Sequence, residues 1–355
     1  MPHRVVPRAV TRVLPALAAV LVLLVGGLVG WRLLSPATPL ARAMSLVPAD
    51  TTRFSWTDWA GVRRELDTGV GPGSSGEEVD DFMAAAFDAD LSPMSALGTS
   101  AGVMEAELGF SPASVSWELF AQSGTGAVEV LGVDDGVDVD AVADRLVDLG
   151  WTEPEEADGV WVGGPDVLSG VGSMLTPELQ HVALLADEGL VLTSDQAPYL
   201  QQVVDGIDGD GPEELVELAE ALDEPLAAAV YDGAYACEHL AMAQADDDAQ
   251  AEADQLVAAA GAVHPLTGYA LGRLPSGGVR AVLQVEDEDD AAADAEARSR
   301  LAAGPAPGQG GDFTDRFAVE AAGSEGREVV LDLRPVEGAY VLSELTSGPV
   351  LFATC

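Results

Sequence analysis

Residues 126–135 read Gly-Ala-Val-Glu-Val-Leu-Gly-Val-Asp-Asp, and residues 278–287 read Gly-Val-Arg-Ala-Val-Leu-Gln-Val-Glu-Asp. Each run alternates apolar residues at period two, the spacing of a strand with one side buried. Each follows a glycine turn (Ser123-Gly124-Thr125-Gly126, and Pro275-Ser276-Gly277-Gly278) and leads into an acid-started helix. Those helices run out at Arg145-Leu146 and Arg300-Leu301, shortly before Gly150 and Gly304.

The first run pairs with Val115, Trp117 and Leu119, which alternate with Ser116, Glu118 and Phe120, to make a hairpin. The second pairs with 266–274. A further hairpin follows each helix, at 181–194 around Asp187-Glu188-Gly189 and at 316–333. Hairpin, helix and hairpin thus occur twice, which predicts a duplicated α+β fold of antiparallel hairpins with helices on one face. The halves are expected at 49–224 and 225–355, divided after the Gly/Asp linker 207–212 and a helix over 213–222. Whether they share one sheet is left open.

Outside the hairpins, periodicity and caps predict helices over 59–66 after Asp58, 77–87 after Ser75, 94–108, 139–149 after Asp138, 166–175 and 198–204. In the second half they fall over 250–260, 290–303 and 337–345. In 290–303, Asp294 precedes Arg298 and Glu296 precedes Arg300 at the favourable i,i+4 spacing. A last strand is expected over 349–353.

Residues 13–34 carry no charge before Arg32 and are long enough to cross a bilayer. Arg4, Arg8 and Arg12 precede them with no acid, so 1–12 is expected in the cytoplasm and everything after 34 outside it, in a single-pass topology. Residues 35–48 read as a stalk with Pro36 and Pro39. Ala41-Arg42-Ala43 has the form of a signal-peptidase site, but the apolar run exceeds a signal-peptide core, so an uncleaved anchor is expected, with release after Ala43 as the alternative.

Five Arg and no acid stand before Met44; beyond it 11 Arg face all 60 acids, a formal charge of −49. Phosphate backbones need clustered cations, so no nucleic-acid partner is expected. Basic proteins and cationic ligands fit. With 48% apolar residues in periodic runs, the acidity is not that of a disordered chain. Two cysteines, Cys237 and Cys355, predict one disulfide in an oxidising compartment.

The span, the start Val47-Pro48-Ala49-Asp50-Thr51, the 181–194 hairpin and the ending Gly348-Pro-Val-Leu-Phe-Ala-Thr-Cys355 resemble actinobacterial membrane-anchored extracytoplasmic proteins of uncharacterised function. The plan is similar to that of duplicated bacterial surface proteins. The resemblance implies topology and supplies no catalytic residues.

Candidate chemistries are weak. Gly98-Thr99-Ser100-Ala101-Gly102 matches the G-x-S-x-G nucleophile elbow, but Leu91–Leu97 with Pro93 is a poor strand to carry it. Cys237, His239 and His264 fall short of a four-ligand zinc site. The acidic clusters (Asp134-Asp135, Asp208-Gly-Asp210, Asp246–Asp248, 286–290) lack the register of a calcium loop, and several cap helices instead. The tryptophans Trp56, Trp59, Trp117, Trp151 and Trp161 fit core packing better than sugar stacking. No catalytic, cofactor or metal residue is assigned. The expected role is binding or envelope maintenance without catalysis; the alternative is an envelope hydrolase acting on glycan or ester at an unidentified site.

Overall fold

Strand β1, Thr51–Thr57, explains the architecture because its two sides are both used. Phe54 and Trp56 enter one apolar core with Leu119, Val130 and Val230, while Arg53, Ser55 and Thr57 alternate toward the other side. The same chain order then lays down β2 (Trp117–Ser123), β3 (Ala127–Gly132), β4 (Val160–Val162), β5 (His181–Leu185) and β6 (Leu190–Ser194). After these come β7 (Ala227–Asp232), β8 (Leu266–Arg273), β9 (Val279–Val285), β10 (Phe317–Glu325) and β11 (Glu328–Pro335).

The computed structural model describes residues 37–355 apart from 134, 135 and 210. The expected arm 1–12 and span 13–34 lie outside the described residues, as do Asp134, Asp135 and Asp210. Among the described residues, no helix is long and apolar enough to cross a membrane.

All eleven strands form one antiparallel sheet in the order β10-β11-β9-β8-β7-β1-β2-β3-β6-β5-β4. The two halves therefore share a sheet, joined where β1 pairs with β7 from Arg53↔Tyr231 to Thr57↔Ala227. The α+β class with antiparallel strands holds.

Helices cover both faces, not one. On one side helices Pro39–Met44, Ala197–Asp205 and Glu213–Glu220 pack on Val128, Leu192, Ala228 and Val282. On the other, helices Trp59–Glu65, Gly76–Asp88 and Val139–Leu149 cover the first half, and Asp247–Ala260, Glu288–Ala302 and Val341–Ser347 the second. The reason lies in the strands: Val182, Ala183, Leu184 and Leu185 are all buried, so neither side of β5 is left for water.

The expected stalk is also corrected from Pro39 onward. Pro39–Met44 is a helix whose Leu40, Ala41, Ala43 and Met44 are buried, and Val47 follows them into the core. The backbone seats it closely: Gly211, at φ 64°, would place an added Cβ 2.6 Å from the Met44 carbonyl oxygen. The helix expected over 94–108 shrinks to Ala101–Val103 and a wider turn, Met104–Leu108, stopped by Gly109 at φ 85°. The expected last strand is a 3-10 turn, Leu351–Ala353.

The helix expected over 166–175 ends at Val171 and the one over 337–345 begins only at Val341, while several caps fall where expected. Ser75 and Glu78 form a reciprocal capping box, Asp138 accepts from the Ala141 amide at 3.1 Å, and Gly150 closes Val139–Leu149 at φ 103°.

Candidate functional site

The sheet registers place three polar rows on the side of β1 that carries Arg53, Ser55 and Thr57. One row runs Tyr269–Tyr231–Arg53–Gln122 across β8, β7, β1 and β2. The next runs Ala229–Ser55–Phe120–Glu129–Thr193 from β7 to β6. The third runs Ala227–Thr57–Glu118–Leu131. A polar island therefore sits in mid-sheet, where the halves meet, beneath the helical layers.

Two carboxyls dominate it, diagonal neighbours on β2 and β3. Glu118 is buried and accepts from the Trp59 indole N–H at 2.8 Å, the Ser95 hydroxyl at 2.9 Å and the Ala96 amide at 2.8 Å. Burial pushes its pKa up to about 6 against those donors. Among the described residues, no donor reaches either oxygen of the fully buried Glu129, and the hydroxyl of its register neighbour Thr193 is equally unpartnered. Burial, then the charges of Glu118 and Glu178, hold the Glu129 pKa well above the ordinary range.

Such a pair has the proton chemistry of a general acid beside a base. Access is the obstacle. The 95–97 segment bonds onto Glu118, and the turn Pro177–Gln180 packs on β3 and β6 with Leu179 in the core. The geometry is that of buried structural carboxyls.

The sequence motifs resolve individually. Ser100 is fully buried, donating to the Met174 carbonyl at 2.9 Å and accepting from the Thr176 amide at 2.9 Å. It pins the 174–176 loop, no strand enters it, and neither of its hydroxyl partners is a base. Cys237 and Cys355 form the expected disulfide, with Cα atoms 5.8 Å apart. Cys237 is thus no zinc ligand. His239 rests against the Tyr235 ring, and His264 bonds Asp294. Among the described residues no group of three or more His, Cys, Asp or Glu is placed to hold a metal. Asp246 caps a helix through the Ala249 amide at 2.8 Å, and Asp287 occupies an N-cap position without a side-chain bond.

The pairs Asp294–Arg298 and Glu296–Arg300 both form, at 2.8 and 3.0 Å, but they differ in kind. Glu296 and Arg300 are on the surface; Asp294 and Arg298 have no exposed side-chain area at all. Arg298 donates onward to the carbonyls of Phe352 at 2.8 Å and Thr354 at 2.9 Å, fastening the chain end beside Cys355.

An accessible hollow of about 380 Å³ lies on the other face of the sheet, lined by Pro39, Ala43, Leu46, Trp117, Leu190 and Ile207, with Arg42, Glu188 and Asp208 at its edge. Sequence reasoning missed it, because it required the helix at 39–44.

No protein-family model, no curated protein and no solved structure matches the chain.

Proposed function

We propose that the chain is an acidic protein held outside the cytoplasmic membrane by residues 13–34, and that it works by binding a basic protein or cationic ligand of the cell envelope rather than by catalysis. The carrying observation is unspent negative charge. With 16 Arg for 60 acids, most carboxylates have no cation to pair with, and those of the helix starts at Glu77, Glu213, Glu214, Asp247 and Asp248 are exposed. A surface of one sign concentrates and steers ligands of the other.

Two further observations support the placement. The Cys237–Cys355 disulfide suits an oxidising compartment. A cut after Ala43 would strip buried Leu40, Ala41 and Ala43 from the core, which favours retention of the anchor over release. Intact mass of the protein from membranes tests retention directly: a mature chain starting at Met44 would end that part of the reading.

The binding role is tested by in-cell cross-linking of the anchored chain. One reproducible basic partner, lost when acids on one face are changed to amides, is the expected outcome. A cross-linked partner indifferent to every such change would sink the charge-based reading.

The strand orders also favour an ancestral duplication. β1-β2-β3-β6-β5 and β7-β8-β9-β11-β10 follow the same walk outward from the β1–β7 seam, with β4 lacking a counterpart. Superposition of the five strand pairs with their intervening helices, Val139–Leu149 and Glu288–Ala302, checks the idea; helices on opposite sides after superposition would break it.

A further inference from the structure

We propose that the hollow beside Trp117 is a binding site for a cationic amphiphile, meaning an ammonium group carried on an apolar or aromatic body. The inference rests on the binding role above and names the ligand chemistry for it.

The floor is built and rigid. Trp117 opens β2, half-buried, and its register partner on β3 is Gly132. A Cβ at Gly132 would fall 2.1 Å from the Trp117 Nε1, so only glycine lets the indole lie across the neighbouring strand. From below, Trp56 stacks on it with ring centroids 5.4 Å apart. The indole is therefore oriented before any ligand arrives. Leu46, Leu190 and Ile207 complete an apolar lining, and the volume of about 380 Å³ is in the range that takes small organic molecules.

The edge selects charge. Glu188, in the β5–β6 turn, and Asp208 are both exposed, and neither is in an ion pair among the described residues. Among the described residues, Arg42 is the one cation on the lining and is equally unpaired. Two carboxylates against one guanidinium leave the mouth at net −1. An ammonium group there meets both carboxylates beside an aromatic lining residue, groups that recognise organic cations. A neutral apolar molecule meets only the floor. An anion meets two like charges within a protein already strongly acidic.

The test is calorimetric titration of the full chain in nanodiscs, with empty nanodiscs as reference, using 3-phenylpropylammonium and its uncharged analogue 3-phenylpropanol. The expected result is binding of the ammonium compound roughly tenfold tighter than the alcohol. The surface double variant Glu188→Gln/Asp208→Asn, which leaves the core untouched, should abolish that tenfold preference. Arg42→Gln should tighten the ammonium compound two- to threefold. Ile207→Trp, filling the hollow from its half-buried edge, should abolish binding of both. Equal affinity for both probes overturns the cation preference, and binding indifferent to Ile207→Trp overturns the site. If the cross-linked basic partner depends on acids elsewhere while Glu188→Gln/Asp208→Asn leaves both probes unchanged, the binding role stands and this site falls.

Discussion

Each half of the sheet buries an acid beneath its helices, and the two acids live in opposite electrostatic conditions. In the second half Asp294 accepts from the Arg298 Nε at 2.8 Å and the His264 amide at 3.1 Å, and also bonds the His264 ring. Arg298 spends its remaining donors on the carbonyls of His264, Phe352 and Thr354. In the first half Glu129 is buried as deeply, with no donor to either oxygen among the described residues. Equal burial therefore leaves the two acids differently placed. One has a buried guanidinium beside it and helps fasten the chain end, and the other has no cation and a pKa raised by burial.

The largest effect should come from removing the partner in the second half. Arg298→Met leaves Asp294 buried without its cation and frees two carbonyls of the tail. Urea unfolding should show a loss of about 3–5 kcal/mol, the range for breaking one side of a buried ion pair. A loss under about 1 kcal/mol would mean that Asp294 is relieved by its His264 contacts alone, and the contrast between the halves would blur.

The disulfide fastens the same tail. Cys237→Ser/Cys355→Ser opens a link across 118 residues of sequence, and about 2–4 kcal/mol of stability should go with it. Because Arg298 and Cys355 hold one segment, the combined variant should lose less than the sum of the separate losses. Strict additivity would show that the two fastenings act independently.

Glu129→Gln should carry the opposite sign. The folded pKa of Glu129 lies above its ordinary 4.5, so its contribution is fully present below pH 4.5 and is lost as pH rises through the folded value. Across that window the natural chain should lose up to about 1.4 kcal/mol per pH unit from this group. Glutamine copies the neutral acid and does not titrate, so the variant should match the natural chain near pH 4.5 and melt higher at pH 8. Glu118, raised to about 6 by burial, adds its own slope between pH 4.5 and 6 in both proteins. A variant less stable at pH 8 would show that Glu129 is ionic after all.

Much of the fold could be read beforehand because its signals are local. Turns such as Ser123–Gly126 and caps such as Ser75 and Asp138 act within a few residues, and the i,i+4 spacing brought Asp294 and Arg298 together correctly. The errors share one cause. Glu118 alternates with Trp117 and Leu119 in sequence, but alternation gives the side of a strand and not what covers it. The covering of Glu118 comes from Trp59 and from Ser95, 59 and 23 residues away in sequence. Glu129 and the burial of Arg298 were missed for the same reason. The one available hint was strands apolar on both sides, as in 182–185 and 227–230, which already requires two covering layers. Pro39 and Pro36 suggested a stalk, but Leu40, Ala41, Ala43 and Met44 lie on the inner face of a helix that proline can start.

The smallest effect separates the two partners of Asp294. The hydrogen bond that the His264 ring donates to Asp294 raises the His264 pKa first, aided by the charges of Asp294 and Asp290 and opposed by burial and by Arg298. Its contribution is therefore fully present below about pH 6.5 and disappears as pH climbs through the folded value. About a third of the imidazole is exposed, so solvent screening should reduce the effect to a few tenths of a kcal/mol. His264→Gln isolates the ring, because the amide that binds Asp294 and the carbonyl that binds Arg298 belong to the backbone and remain. The variant should melt slightly lower at pH 5.5 and coincide with the natural chain at pH 9. A deficit equal at both pH values would assign the ring to packing. A deficit at pH 5.5 as large as that of Arg298→Met would make the imidazolium, and not the guanidinium, the main stabilising partner of Asp294.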